Sequence, residues 1–170
     1  MGQNVLHLIE QESPETKFMV WAHNGHVESW GPDGKNVGSL LKNKLGEKYY
    51  MLALQCYQGS YLTQLPNAEP IWAGDLLNDT IKSEGKTMTW YLHSTGLEAF
   101  IIDLKTIQSN VEALKWIQTP QRYTGGGWLY NGKGSISDAY VKKDSWDGIL
   151  FIDQTTPVKP TKNLIEITGN

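Results

Sequence analysis

The sequence predicts an α/β fold, a mostly parallel sheet with helices on both faces in three layers, forming an incomplete part of a larger domain. Three observations carry this expectation. Four short apolar runs, at residues 17–22, 49–57, 99–104 and 148–153, lack polar alternation and have the character of strands buried on both faces. Helical periodicity fills several of the intervals, which is the alternation that builds a parallel sheet. The helices are few and short for four such strands, so the cover is thin.

The elements follow in order. Residues 2–12 form a helix in which Val5, Leu8 and Ile9 share a face, and Ser13-Pro14 stops it. The run 17–22 is the first strand. A Gly-rich loop spans 23–35. Asn36 caps a helix over 36–45 with Val37, Leu40, Leu41 and Leu45 inward, and Gly46 ends it. Residues 49–57 are the second strand. The stretch 59–86 is mostly irregular, with a short helix over 76–83. Residues 88–94 form a helix ended by Gly96, 99–104 the third strand, and 107–117 a helix before Pro120. The stretch 121–146 reads as surface loop with Gly125-Gly126-Gly127. Residues 148–153 are the fourth strand, and the tail after Pro157 is extended. No repeat, low-complexity segment or linker divides the chain, so 1–170 reads as a single domain.

Composition bounds the function. The chain has 170 residues, 39% of them hydrophobic with seven Trp, enough for a core and too apolar for disorder. With 15 Lys+Arg against 18 Asp+Glu, no basic excess exists to neutralise phosphates, so nucleic acid and membrane surfaces are not expected partners. The lone Cys56 excludes an internal disulfide and a Cys-based zinc site and fits a reducing, cytoplasmic setting. No apolar run reaches the ~20 residues that span a bilayer. Residues 1–15 lack the pattern of a secretory signal, and Leu6 stands where myristoylation needs Ser or Thr.

The chemistry centres on Trp21-Ala22-His23-Asn24-Gly25-His26, at the carboxyl end of the first expected strand, where open α/β sheets bind ligands. Gly25 permits backbone angles that return the second imidazole toward the first. One imidazole then takes a proton from water and the other donates to a developing oxyanion. The plain alternative is two loop histidines, one bonded to backbone and one solvated. A metal reading needs a third or fourth ligand: His7 and His93, the other two histidines, are placed by no motif, while Glu28 and Asp33 are near in sequence. Ser60, after Gly59, lacks the G-x-S-x-G elbow and reads as a loop hydroxyl. The glycine triplet lacks the residues of a P-loop. Cys56 sits in an apolar strand and reads as a packed thiol. Asp103 and Asp153 close two strands, either at a functional edge or as turn caps. His93 reads as a helix-face or capping residue. Trp30, Trp72 and Trp128 fall in loops, where they either floor a pocket or pack beneath the loops.

The segment VWAHNGHV at 20–27 resembles the signature of the erythromycin esterase family, which includes proteins named for succinoglycan biosynthesis. The likeness continues in order through Gly38 to Gly46, Tyr49-Tyr50, Gly59-Ser60-Tyr61, residues 90–96, Ile102-Asp103-Leu104, Trp146-Asp147-Gly148, Phe151-Ile152-Asp153 and Pro160. The resemblance implies a hydrolase of ester bonds, acting in known cases on the lactone of macrolide antibiotics and so conferring resistance. Such enzymes resemble serine-independent and largely metal-independent hydrolases without a cofactor, in which histidine activates water, assisted by Glu, Arg and a second His. Carried over, His23 and His26 are catalytic, and Asn24, Gly25, Gly59 and Ser60 bind substrate, a small-molecule ester. The family's polypeptides are longer. Residues 1–5 resemble an interior segment, and the family's N-terminal Glu and His have no counterpart here. The chain is therefore expected to be a C-terminal portion holding half a site, inactive alone, and self-associating through the surface its missing half would cover. Two alternatives stay open: a metal-dependent hydrolase or metal- or haem-binding relative, and a non-catalytic remnant. No glycosidase carboxylate pair is visible.

Overall fold

The structure, a computed structural model, describes residues 1–29, 36–64, 76–82, 85–119, 121–124, 136–141 and 145–156. Its helices are α1 (Gly2–Glu10), α2 (Asn24–Val27), α3 (Val37–Leu45), α4 (Met88–His93) and α5 (Val111–Gln118). Its strands are β1 (Leu52–Gln64), β2 (Leu76–Lys82), β3 (Ala99–Asp103), β4 (Gln121–Thr124), β5 (Ile136–Val141) and β6 (Gly148–Thr155). Four strands make one sheet in the order β2, β1, β6, β3, and β4 pairs with β5 in a second. The α/β character holds. Trp30, Trp72, Trp128, the glycine triplet, Asp33 and the tail after Pro157 lie outside the described residues.

The main sheet is mixed, which corrects the mostly parallel expectation. β2 runs antiparallel to β1, with Gln58 opposite Lys82 and Gln64 opposite Leu76. β3 is antiparallel to β6, because Leu104 N donates to Asp147 O at 2.9 Å while Asp153 N donates to Glu98 O at 2.8 Å, so one strand descends as the other rises. Only β1 and β6 keep a parallel offset: Gly148 N donates to Met51 O, and Gly59 lies against Thr155.

Other expectations change, and those that concern strands change for one reason: a propensity becomes a strand only where a ladder partner exists. Residues 17–22 form no strand, and Met19 is 84% and Trp21 74% exposed. Residues 76–82, read as a short helix, are β2, held by the register with β1. Two parts of the expected surface loop 121–146 are β4 and β5. Gly59 and Ser60 lie inside β1, which continues to Gln64, rather than in a loop after it. The helix expected over 107–117 is present as α5 from Val111, where the Asn110 cap accepts from Ala113 N at 3.0 Å, and its first turn is instead a separate 3-10 turn, Thr106–Ser109.

The chain divides into two compact units. The first comprises Met1–Leu54, Ile101–Pro120 and Val141–Leu150. There α1 packs on α3, and Gly2 is buried because Leu40 Cδ2 lies 2.7 Å from where a Cβ would stand. Leu41, Met51, Ala53, Trp146 and Ile149 form its core. Asp147 is buried with them. Its Oδ2 accepts from Met51 N at 2.9 Å, and its Oδ1 lies 3.6 Å from Lys42 Nζ and 3.4 Å from Lys105 Nζ. Lys105 and Lys42 also hold the Glu47 carboxyl below its usual range.

The second unit comprises Gln55–Phe100, Gln121–Tyr140 and Phe151–Asn170. Phe151, fully buried, meets Phe100 at 5.1 Å between centroids, and Tyr57, Met88 and Leu92 complete the core. Thr87 caps α4, accepting from Trp90 N at 3.3 Å. Gly59 has φ +150, and a Cβ there would strike Thr155, so this point of β1 admits only glycine beside β6.

Candidate functional site

The histidine pair stands on one helical turn of the first unit. His23 is the N-cap of α2, with φ −58 and ψ 144, and its Nδ1 accepts from Gly25 N at 3.2 Å. This is the service that Ser or Asp renders at most helix starts. His26 N donates to His23 O at 2.9 Å, which closes the turn. The spacing of three residues brings both rings to one side. Their centroids are 6.3 Å apart and their planes cross at 75°. Both side chains are exposed. Gly25 is helical and does not use the backbone freedom expected of it. A Cβ there would meet His23 Nδ1 at 3.5 Å, an ordinary contact, so the ring folded over the Gly25 N–H does not itself demand glycine.

Four neighbours fix this turn. Asn24 spends both amide atoms on one residue of β1, with Nδ2 donating to Leu54 O at 2.7 Å and Oδ1 accepting from Leu54 N at 3.0 Å. Asn36 caps α3 through Oδ1, which accepts from Ser39 N at 2.8 Å, and its Nδ2 donates to Gly25 O at 3.1 Å and Glu28 O at 3.0 Å. One side chain thus starts α3 and closes α2. Tyr49 Oη donates to Val27 O at 2.8 Å. Burial and the Asp147 charge push the Tyr49 phenol up to about 12. Gly38 lets α3 meet the carbonyls of Val27 and Glu28, where any Cβ would clash.

The remaining sequence candidates resolve individually. Asn24 stands where it orients the turn, its amide facing β1. Gly59 is a close strand approach, and Ser60 lies in β1 opposite Thr80. Burial raises the Cys56 thiol, partly offset by a hydrogen bond with Thr155, as suits a packed thiol. Asp103 caps a turn, with Oδ1 accepting from Lys105 N at 3.0 Å and from Tyr50 Oη at 3.2 Å. His7 bonds the amide of Gln11 at 3.0 Å on the exposed side of α1. Among the described residues, no cluster of three or more His, Cys, Asp or Glu has metal-holding geometry. None of the described helices is long and apolar enough to cross a membrane.

One pairing escaped sequence reasoning. In the second unit, His93 Nδ1 lies 2.5 Å from Asp153 Oδ1, and the ring stacks on Tyr57. Each residue was visible at the end of an element, but sixty positions separate them and no spacing rule joins them.

Comparison with known proteins fits this architecture. The sequence profile of the erythromycin esterase family matches residues 1–155, so the chain belongs to that family, a family of hydrolases. Within it, the chain is 23% identical over 155 residues to a protein of Bacillus subtilis strain 168 named putative hydrolase YbfO, covering 85% of this chain and 31% of that one. A crystal structure of a Bacillus cereus protein shares the fold with a TM-score of 0.70 at 19% identity, covering 84% of this chain and 35% of that one. The crystal structure of a succinoglycan biosynthesis protein gives 0.63 at 22% identity, covering 81% and 33%. The chain therefore spans about a third of the length of these relatives.

Proposed function

We infer that this chain supplies the histidine part of an ester hydrolase site, in which His23 polarises the carbonyl of an ester or lactone and His26 takes the proton of the attacking water. The observation that supports it most is the bond from Gly25 N to His23 Nδ1. A nitrogen that accepts an N–H has its lone pair engaged, so the neutral ring carries its proton on Nε2. That Nε2–H is a donor suited to a carbonyl oxygen on its way to an oxyanion. His26, three residues on, is the second imidazole of the same turn and the side chain type suited to carrying a proton between water and a leaving group. Asn24, Asn36 and Tyr49 act as positioning residues, since they hold the turn's backbone.

Water attacks the carbonyl carbon, His26 accepts its proton, and the tetrahedral intermediate expels the alkoxide, which His26 reprotonates. A macrolide lactone is the substrate we assign first, with the ring opening on addition of one water. The pair acts together with groups on further polypeptide, as the share of the relatives' length covered by this chain supports.

The test grafts this chain in place of the matching third of the Bacillus subtilis relative. The chimera is assayed by mass spectrometry against a macrolide and a panel of alkyl esters. The chimera is expected to hydrolyse at least one of these, with a loss of about 100-fold or more in His23→Ala and His26→Ala. A folded chimera that retains its rate with both histidines replaced would overturn the assignment. Nitrogen-15 NMR of the chain itself gives a second reading that needs no chimera. His23 protonated on Nδ1 at neutral pH removes the polarising role.

A further inference from the structure

The second unit builds a His–carboxylate pair that the reaction above does not use. His93 is the last residue of α4, and its Nδ1 lies 2.5 Å from Oδ1 of Asp153 on β6. The ring stacks on Tyr57 with centroids 3.8 Å apart and planes within 2° of parallel. Tyr57 is buried, so the platform is fixed. Asp153 is fixed as well, its N–H donating to Glu98 O at 2.8 Å.

A carboxylate has only lone pairs to offer, so Nδ1–H donates to Asp153 and the neutral ring keeps its lone pair on Nε2. This tautomer is the opposite of the one that Gly25 imposes on His23. The His93 side chain is 40% exposed. Nδ1 is engaged by Asp153 and one ring face lies against Tyr57. A carboxylate that holds the Nδ1 proton of a part-exposed imidazole and leaves the lone pair on Nε2 is the arrangement of an activated base or nucleophile.

We propose that His93 and Asp153 form a second acyl-transfer site, with His93 Nε2 as nucleophile and activated acyl compounds, aryl esters above all, as substrates. Nε2 attacks the acyl carbon, the N–C bond forms, and the C–O bond to the aryl oxygen breaks, the phenoxide leaving with the electron pair. The Nδ1 proton departs past Asp153 to solvent, which leaves a neutral N-acylimidazole. Water then cleaves the N–C bond, its hydroxyl going to the acyl carbon and its proton to the ring. A phenoxide departs without help, so the step needs no enclosed oxyanion pocket and suits a half-exposed ring.

The test mixes the purified chain with p-nitrophenyl acetate, follows p-nitrophenolate, and maps acetyl groups by mass spectrometry after an acid quench. Acetylation at His93 is expected. His93→Gln should lose that product. Asp153→Asn should slow acetylation of His93 by about tenfold or more, because an amide N–H facing Nδ1 drives the ring proton to Nε2. His7→Gln should leave the rate unchanged. Acetyl groups on other histidines with none on His93 would overturn the proposal, as would Asp153→Asn reacting at His93 at the wild-type rate. If circular dichroism shows Asp153→Asn unfolded, the site mapped in the wild-type chain decides. Because the product is located on His93, the outcome is independent of whether His23 and His26 act as inferred.

Discussion

Replacing Asn24 by alanine tests whether the histidine turn is held by its amide. Asn24 makes two hydrogen bonds to Leu54, at 2.7 and 3.0 Å, and among the described residues no backbone bond duplicates them between α2 and β1. An internal hydrogen bond contributes about 0.5–1.5 kcal/mol net, so the pair is worth about 1–3 kcal/mol. Leu54 is 36% exposed, so water partly replaces the lost partners, and the expected cost lies near the lower half, about 1–2 kcal/mol. In a chain of this length each kcal/mol moves the melting temperature by about 2–4 °C, so Tm should fall by about 2–8 °C. Thermal unfolding by circular dichroism reads this, and imidazole NMR shifts of His23 and His26 report the turn directly. Asn24→Asp is the sharper variant. It keeps an acceptor for Leu54 N but sets a carboxylate oxygen against Leu54 O, so it should not restore stability at neutral pH. A Tm within about 1 °C of wild type in Asn24→Ala, with both histidine signals unmoved, would refute the reasoning.

Two further outcomes follow from the first unit. Asp147→Ala removes a buried carboxylate from Met51 N, Lys42 and Lys105, and should cost about 2–4 kcal/mol in urea unfolding, whereas Glu47→Ala, at the solvent end of the same lysines, should leave the midpoint in place. Equal effects of the two would show that Asp147 is no more than a surface partner. Tyr49 titrates near 12 when folded and near 10 when unfolded, so the folded state holds its proton over that window and stability should fall as pH rises from 10 to 12. Tyr49→Phe should flatten that slope, and a slope that persists unchanged in the variant would count against the assigned cause.

Much of the scaffold was legible because it rests on local chemistry. Asn36 reads as an N-cap from the sequence, and it is one, since an amide preceding Val37 meets the first-turn N–H of Ser39 whatever lies elsewhere. The second, third and fourth apolar runs are strands because each has a partner among the others. The two histidines three residues apart announce their own meeting on a turn. The reach of Asn36 Nδ2 to Gly25 O and Glu28 O was not legible, because a cap motif specifies the helix it starts and not the one it closes.

What the sequence by itself determined is the set of local choices: caps, helix ends, apolar strands, and the pair of imidazoles. What only the tertiary structure decided is partnership. The apolar run 17–22 stays exposed and unpaired among the described residues, while the polar-looking 76–82 becomes a strand, because β1 offers a ladder to the second and not to the first. The tautomers are decided the same way. His23 and His93 are the same residue type, but one nitrogen meets an N–H and the other a carboxylate. Propensity is a property of a segment, whereas a ladder, a tautomer and a paired charge are properties of two segments brought together, and no one-dimensional spacing records that meeting.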